Sequence, residues 1–113
     1  MKLTKNAVQL KIIINEEAII YQRPLYEAIV YAAKKYKISG VTVTRGIMSY
    51  GSNNLRENVK VFSLSPGHPI ILEMVDIKER LHDFAEIASR LIDKAETTGF
   101  MTFSQIEVYR YDR

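Results

Sequence analysis

The chain has no cysteine and no tryptophan, and only two histidines, His68 and His82. Without thiols there is no disulfide framework, no thiolate nucleophile and no cysteine-ligated zinc or iron–sulfur centre. Two histidines do not build a His-rich metal cage. No apolar run approaches the roughly 20 residues that a membrane-spanning helix needs. Met1 to Asn6 is polar and leads straight into a strand-like segment, so it carries no signal-peptide core. Lysine and arginine are dispersed, with no polybasic block of the kind that marks nucleic-acid arms. GxGxxG and Gly-Lys-Ser/Thr phosphate loops are missing, and so is the EF-hand pattern. No Ser-His-Asp or Ser-Lys constellation is legible, so catalysis has no positive sign. These absences lead us to expect a cytoplasmic, non-enzymatic protein with no metal, no nucleic-acid partner and no direct membrane insertion.

What is present is ordinary for a folded domain. The 113 residues are 47% hydrophobic and 26% charged, which argues against disorder. A chain of this size buries about two-thirds of its unfolded surface. We expect one domain over 1–113. A formal net charge of +3 permits an anionic ligand without requiring one.

Hydrophobic periodicity divides the chain. Ala7 to Asn15 alternates Val8, Leu10, Ile12 and Ile14 against Gln9, Lys11 and Ile13, a strand. Pro24 suits the first turn of a helix, and Leu25, Ala28, Ile29, Ala32 and Tyr36 recur at helical steps. Gly40 is the expected left-handed cap. Val41 to Ile47 alternates again. The stretch from about Ser49 to Gly67 is turn-rich and long for a loop, and loops of that length usually serve function; Leu55 to Leu64 within it reads as a short helical or extended piece. Ile70 to Asp76 is the third strand. Asp76 with Glu79 reads as a capping box opening a helix whose apolar stripe is Leu81, Phe84, Ala88, Leu91 and Ile92. Thr97 to Gly99 ends it, and Thr102 to Tyr111 is the last strand.

The order β-α-β-β-α-β is an α+β, ferredoxin-like plan: a four-stranded antiparallel sheet with two helices on one face. The other face would carry Ile13, Ile71, Val75 and one parity of the last strand. An uncovered sheet face is ordinarily polar, so this one is expected to be covered by another subunit.

The candidate chemistry is thin. In Thr44-Arg45-Gly46-Ile47-Met48-Ser49-Tyr50-Gly51, the glycines let backbone N–H groups approach a ligand closely, and Arg45 and Arg56 are candidate partners for an anion; an ordinary glycine-containing loop is the competing reading. Tyr50 could stack on a base. His68, with no acid near it in sequence, reads as a surface-loop residue. His82 reads as a solvated helix position, and Tyr26, Tyr31 and Tyr36 as packing residues of the first helix. Glu16 and Glu17 end the first strand, too few for an oxygen-ligand metal site on their own.

With these segments placed, the chain resembles the PII-like family catalogued as domain of unknown function one-ninety, within the nitrogen-regulatory PII and CutA-like superfamily. The resemblance rests on Glu16, on Arg23-Pro24-Leu25-Tyr26-Glu27-Ala28-Ile29, on Gly40 through Ile47, and on Pro69-Ile70-Ile71-Leu72-Glu73-Met74-Val75-Asp76. It implies a signalling homotrimer holding an adenine nucleotide in clefts between subunits, and a mobile loop at about 49–67 that reports ligand state to a protein target such as a membrane transporter or channel. The binding residues it implies are Arg45, Gly46, Ser49, Tyr50 and Gly51; Thr98, Gly99, Phe100, Met101 and Thr102; and Arg110. PII proteins carry Gly-Asp-Gly-Lys before the last strand, whereas this chain has Gly99-Phe100-Met101-Thr102, so the resemblance implies a ligand with fewer phosphates, AMP or ADP favoured over ATP, or a different anion. The alternative is a small metal-binding or enzymatic trimer on the same fold, which needs Glu16, Glu73 or Asp76 to converge with His68.

Overall fold

The computed structural model describes residues 2–49 and 67–111. Tyr50, Gly51, Arg56 and the expected 55–64 element lie outside them. The elements run β1 (Lys2–Thr4), β2 (Ala7–Asn15), β3 (Ile19–Ile20), β4 (Arg23–Pro24), α1 (Leu25–Tyr36), β5 (Gly40–Arg45), β6 (Pro69–Ile77), α2 (Lys78–Lys94), β7 (Gly99–Gln105) and β8 (Val108–Arg110). The main sheet has the order β5-β6-β2-β7 with every neighbour antiparallel. This is the ferredoxin-like α+β plan that the element order implies.

Period-two patterning decides which face is buried. Val8, Leu10, Ile12 and Ile14 of β2, with Ile70, Leu72 and Met74 of β6, face the helices and are buried. They meet Leu25, Ile29 and Ala33 of α1 and Leu81, Phe84, Ala88 and Ile92 of α2. A fully buried side chain of this size contributes about 1.5–3 kcal/mol, so this layer supplies most of what holds the fold. Tyr26 and Tyr36 pack against it as expected, but Tyr31 is exposed and carries Lys35 Nζ 5.3 Å above its ring.

The opposite face reads as three rows across the strands. Thr44, Ile71, Ile13 and Phe100 form the first; Thr42, Glu73, Lys11 and Thr102 the second; Gly40, Val75, Gln9 and Ser104 the third. Gln9 Nε2 donates to Glu73 Oε2 at 3.2 Å. No described helix covers this side, and Phe100 stays 48% exposed.

Four local expectations need correction. First, the left-handed residue ending α1 is Lys37, at φ 64 and ψ 42. Its N–H reaches Lys34 O and the Ile38 N–H reaches Ala33 O, the Schellman pattern. Gly40 has an ordinary φ and already belongs to β5. Second, Asp76 does not cap α2: the N-cap is Ile77, with no side-chain cap bond. Third, Pro24 sits in the short β4 just before α1, as its N-cap.

Fourth, the last strand begins at Gly99 and breaks after Gln105. At that point β2 runs out, with Val8 opposite Gln105 and Ile106 N–H on Ala7 O. Asn6, at φ 59, bends the chain between β1 and β2. The C-terminal strand β8 follows β1 instead, pairing Lys2 with Arg110.

Candidate functional site

The register of the sheet places the candidate binding residues. Arg45 opposes Ile70, Ile70 opposes Ile14, and Ile14 opposes Gly99. Arg45 and Gly46 therefore share one end of the sheet with Thr98 and Gly99. They lie on opposite edge strands, three strand spacings or roughly 14 Å apart. Phe100, Met101 and Thr102 are strand residues, not turn residues. Phe100 stands beside Ile13 on the open face, while Met101 packs against the core. Ser49 follows β5 outside any strand. Arg110 is at the far end: it lines an open groove with Ser39, Gly40 and Val75, about five strand residues or roughly 17 Å from the Arg45 row. One chain thus brings Arg45 with Gly46, and Thr98 with Gly99, to one end of the sheet, and leaves Arg110 at the other.

The side-chain partners of Arg45 are not apparent from sequence spacing. Glu16, just past β2, is ion-paired with Arg45, its Oε2 3.0 Å from Nε, and its Oε1 accepts from Arg45 Nη2 at 3.4 Å. Its Oε1 lies 2.7 Å from His68 Nδ1 and also accepts the His68 backbone N–H at 3.0 Å. Arg45 Nη2 lies 3.1 Å from the same Nδ1. The short contact to a carboxylate assigns the Nδ1 proton to the bond with Glu16, which leaves the Arg45 approach as packing of a cation on the ring edge. The backbone closes around the group, with Glu16 N–H on His68 O at 2.9 Å and Gly46 N–H on Pro69 O at 2.7 Å. The His68 side-chain bond, with further help from its N–H and from Arg45, holds the Glu16 carboxyl below its usual range despite partial burial. Side-chain exposures are 60% for Arg45, 42% for His68 and 25% for Glu16, so the guanidinium still faces solvent.

His68 therefore has an acid partner, 52 residues away in sequence. The signal was available in the strand pairing. Asn15 opposes Pro69, so the residues just beyond, Glu16 and His68, must meet. Glu73 and Asp76 do not join them. Glu73 is on the open face with Gln9, and Asp76 is at the other end of β6 against Ser39 and Arg80. Among the described residues no three His, Asp or Glu side chains gather as a cation cage. His82, expected to be solvated, is exposed but stacks on Phe103 with centroids 4.0 Å apart.

Two glycines here have reasons internal to the fold. A Cβ on Gly46 would come within 2.5 Å of Pro69 Cγ, and one on Gly99 within 2.9 Å of Ile13 O. Their bareness serves close packing of the sheet end, whatever it offers a ligand. Among the described residues, no helix is long and apolar enough to cross a membrane.

Comparison with known proteins agrees with this architecture. The UPF0166 protein of Aquifex aeolicus is 28% identical over 108 residues, covering 96% of this chain and 97% of its own. A UPF0166 protein of Methanocaldococcus jannaschii is 31% identical over 101 residues, covering 89% and 90%. Among solved structures, CPII of Thiomonas intermedia K12, a nitrogen regulatory PII-like protein bound to ADP, AMP and bicarbonate, superposes with a TM-score of 0.65 at 16% identity. That match covers 98% of this chain and 100% of CPII. The family model described as DUF190, Uncharacterized ACR, matches residues 7–108, and the chain belongs to that family.

Proposed function

We propose that this protein is a non-enzymatic PII-like regulatory protein. In this reading it assembles as a homotrimer and holds an adenine nucleotide between subunits. The observation that carries the reading is the placement of Arg45-Gly46 and Thr98-Gly99 on opposite edges of one sheet end. Neither wall closes a cleft alone, whereas edge-to-edge apposition of two copies brings them together. The apolar row Ile71, Ile13 and Phe100 lies beside that end on the uncovered face, where a further copy would bury it. CPII, which shares the fold, was captured with ADP and AMP.

AMP or ADP suits the cleft better than ATP. Gly99, Phe100 and Met101 offer backbone and apolar surface but no cationic side chain, and Arg45 is the charged group at the opposite wall. The ligand state would be passed to a protein target, such as a membrane transporter or channel, through the segment near 49–67. The metal-binding or enzymatic alternative is weaker, because Glu73 and Asp76 stand apart from the Glu16–His68 pair.

The test is a thermal-shift panel of AMP, ADP, ATP and cyclic nucleotides with and without Mg²⁺. A ligand at 100 times its Kd stabilises the native state by about 2.7 kcal/mol. No shift at roughly millimolar nucleotide overturns the reading. Arg45→Gln is the informative variant. Gly46→Val is a poor one, since any Cβ there collides with Pro69.

A further inference from the structure

Resting on the reading that Arg45 holds the ligand's phosphate, we propose that His68 makes anion affinity at this site proton-dependent. Glu16 is shared: one carboxylate serves both the Arg45 guanidinium and the His68 ring. With a neutral imidazole, the charges of Arg45 and Glu16 cancel. A second proton on the ring, at Nε2, leaves the group with one net positive charge. It also places an imidazolium edge 3.1 Å from Arg45 Nη2, and the two cations then compete for one carboxylate. Both effects favour an incoming anion: the guanidinium is released from Glu16, and the local potential turns positive.

The surroundings let this charge be felt. His68 is held by β6 and by the turn after β2, with Arg45 facing it from the end of β5. Glu17 also stands beside this corner, its Cγ 3.0 Å from where a Cβ on Gly67 would sit. Imidazole is the side-chain group that ordinarily exchanges a proton between about pH 5 and 8.

Linkage makes the effect reciprocal: if protonation tightens the ligand, the ligand must raise the protonation midpoint of His68. The first measurement is calorimetric titration with AMP at about pH 8 and about pH 5.5, at fixed ionic strength, for the wild type and His68→Gln. The phosphate of AMP itself titrates near pH 6, equally for both chains, so the quantity read is the difference between their pH ratios. One extra unit charge at this partly exposed distance predicts that wild-type affinity rises about three- to tenfold more than that of the variant. Equal ratios overturn the proposal and leave the nucleotide reading standing. No AMP binding by either chain at either pH overturns both.

The second measurement needs no variant. Imidazole NMR resonances of the wild type are followed against pH with and without saturating AMP. With only two histidines in the chain, His82, stacked on Phe103, is the internal control. The proposal expects the His68 midpoint to rise with AMP while that of His82 stays fixed. An unmoved His68 midpoint overturns it.

Discussion

Asp76 and Arg80 stand one helical turn apart at the entry to α2, with Arg80 Nε 3.3 Å from Asp76 Oδ2, and together they tie down the end of the other helix. Asp76, 8% exposed, accepts the backbone N–H groups of Ser39 at 3.0 Å and Ile77 at 2.7 Å. Arg80 Nη2 donates to the Tyr36 carbonyl at 2.6 Å and the Lys37 carbonyl at 3.0 Å. Its guanidinium lies 4.8 Å over the Tyr36 ring. The last carbonyls of α1 are thus satisfied by α2. Burial works against the Asp76 charge more than any other single influence. The N–H groups of Ile77 and Ser39, with Arg80, nevertheless hold its carboxyl below the usual range.

Asp76→Asn should therefore cost about 1–3 kcal/mol, the penalty for weakening a buried, charge-assisted group. That lowers Tm by roughly 4–8 °C per kcal/mol for a domain near this size. The sign with pH follows from the lowered value. The unfolded carboxyl titrates near 3.8, so the wild-type advantage is complete above that range and is lost as pH falls through the lower folded value. Melting curves of both chains from pH 7 downward should converge in acid. A gap that stays constant would assign the effect to shape rather than charge.

Gly67 and Gly40 should respond in opposite ways to alanine. Gly67 has φ +73, and a Cβ there would lie 2.8 Å from Asn15 Oδ1, whose side chain already accepts the Glu17 N–H. Gly67→Ala should cost about 1–3 kcal/mol from backbone strain. Gly40 has an ordinary φ, and the space where a Cβ would stand is open. Gly40→Ala should be neutral or stabilising by about 0.4–1 kcal/mol through the unfolded chain. Urea midpoints at unchanged m-value would separate the two.

Glu16→Gln should loosen the corner where β2 meets β6. The pair His68–Glu16 uses both a ring and a backbone donor on one oxygen. Its carboxyl is held below the ordinary 4.5, so its contribution is complete above that pH and disappears as pH drops through the lower folded value. Hydrogen exchange at the His68 amide should speed up in the variant at neutral pH, and in the wild type only in acid. Unchanged protection in the variant would show that the backbone bonds Glu16 N–H to His68 O and Gly46 N–H to Pro69 O hold the corner alone.

What is legible without the structure is whatever repeats locally. Val8, Leu10, Ile12 and Ile14 alternate, and Leu81, Phe84, Ala88 and Ile92 recur by three and four, so the layers and the unpartnered face follow from spacing. Asp76 misleads because its local context satisfies a capping pattern, while its real partners, Ser39 and Arg80, include one 37 residues away. Lys37 takes the left-handed position expected of Gly40 because α1 ends at Tyr36, four residues before the nearest glycine. Arg110 belongs with β1 rather than the sheet end because the last strand follows the bend at Asn6. The Glu16–Arg45–His68 group needs a register, which no single segment carries.

Ile13→Glu tests the uncovered face without touching the helix-packed core. Ile13 sits at the centre of the first open-face row, between Ile71 and Phe100. Its side chain is only half-buried within one chain. A carboxylate there would have to be desolvated without a partner if another copy covers the row, a cost of several kcal/mol. In a free monomer it would face water at small cost. Sedimentation velocity should show the wild type at the mass of three chains and Ile13→Glu at the mass of one, with far-UV circular dichroism unchanged. Because the proposed cleft lies between copies, the variant should also lose its thermal response to AMP or ADP, although Arg45, Gly46 and Thr98 are intact. A variant that still sediments as the wild type does would mean that the row is not buried between subunits, and the opposed walls at Arg45 and Gly99 would then have to bind, if at all, as separate surfaces.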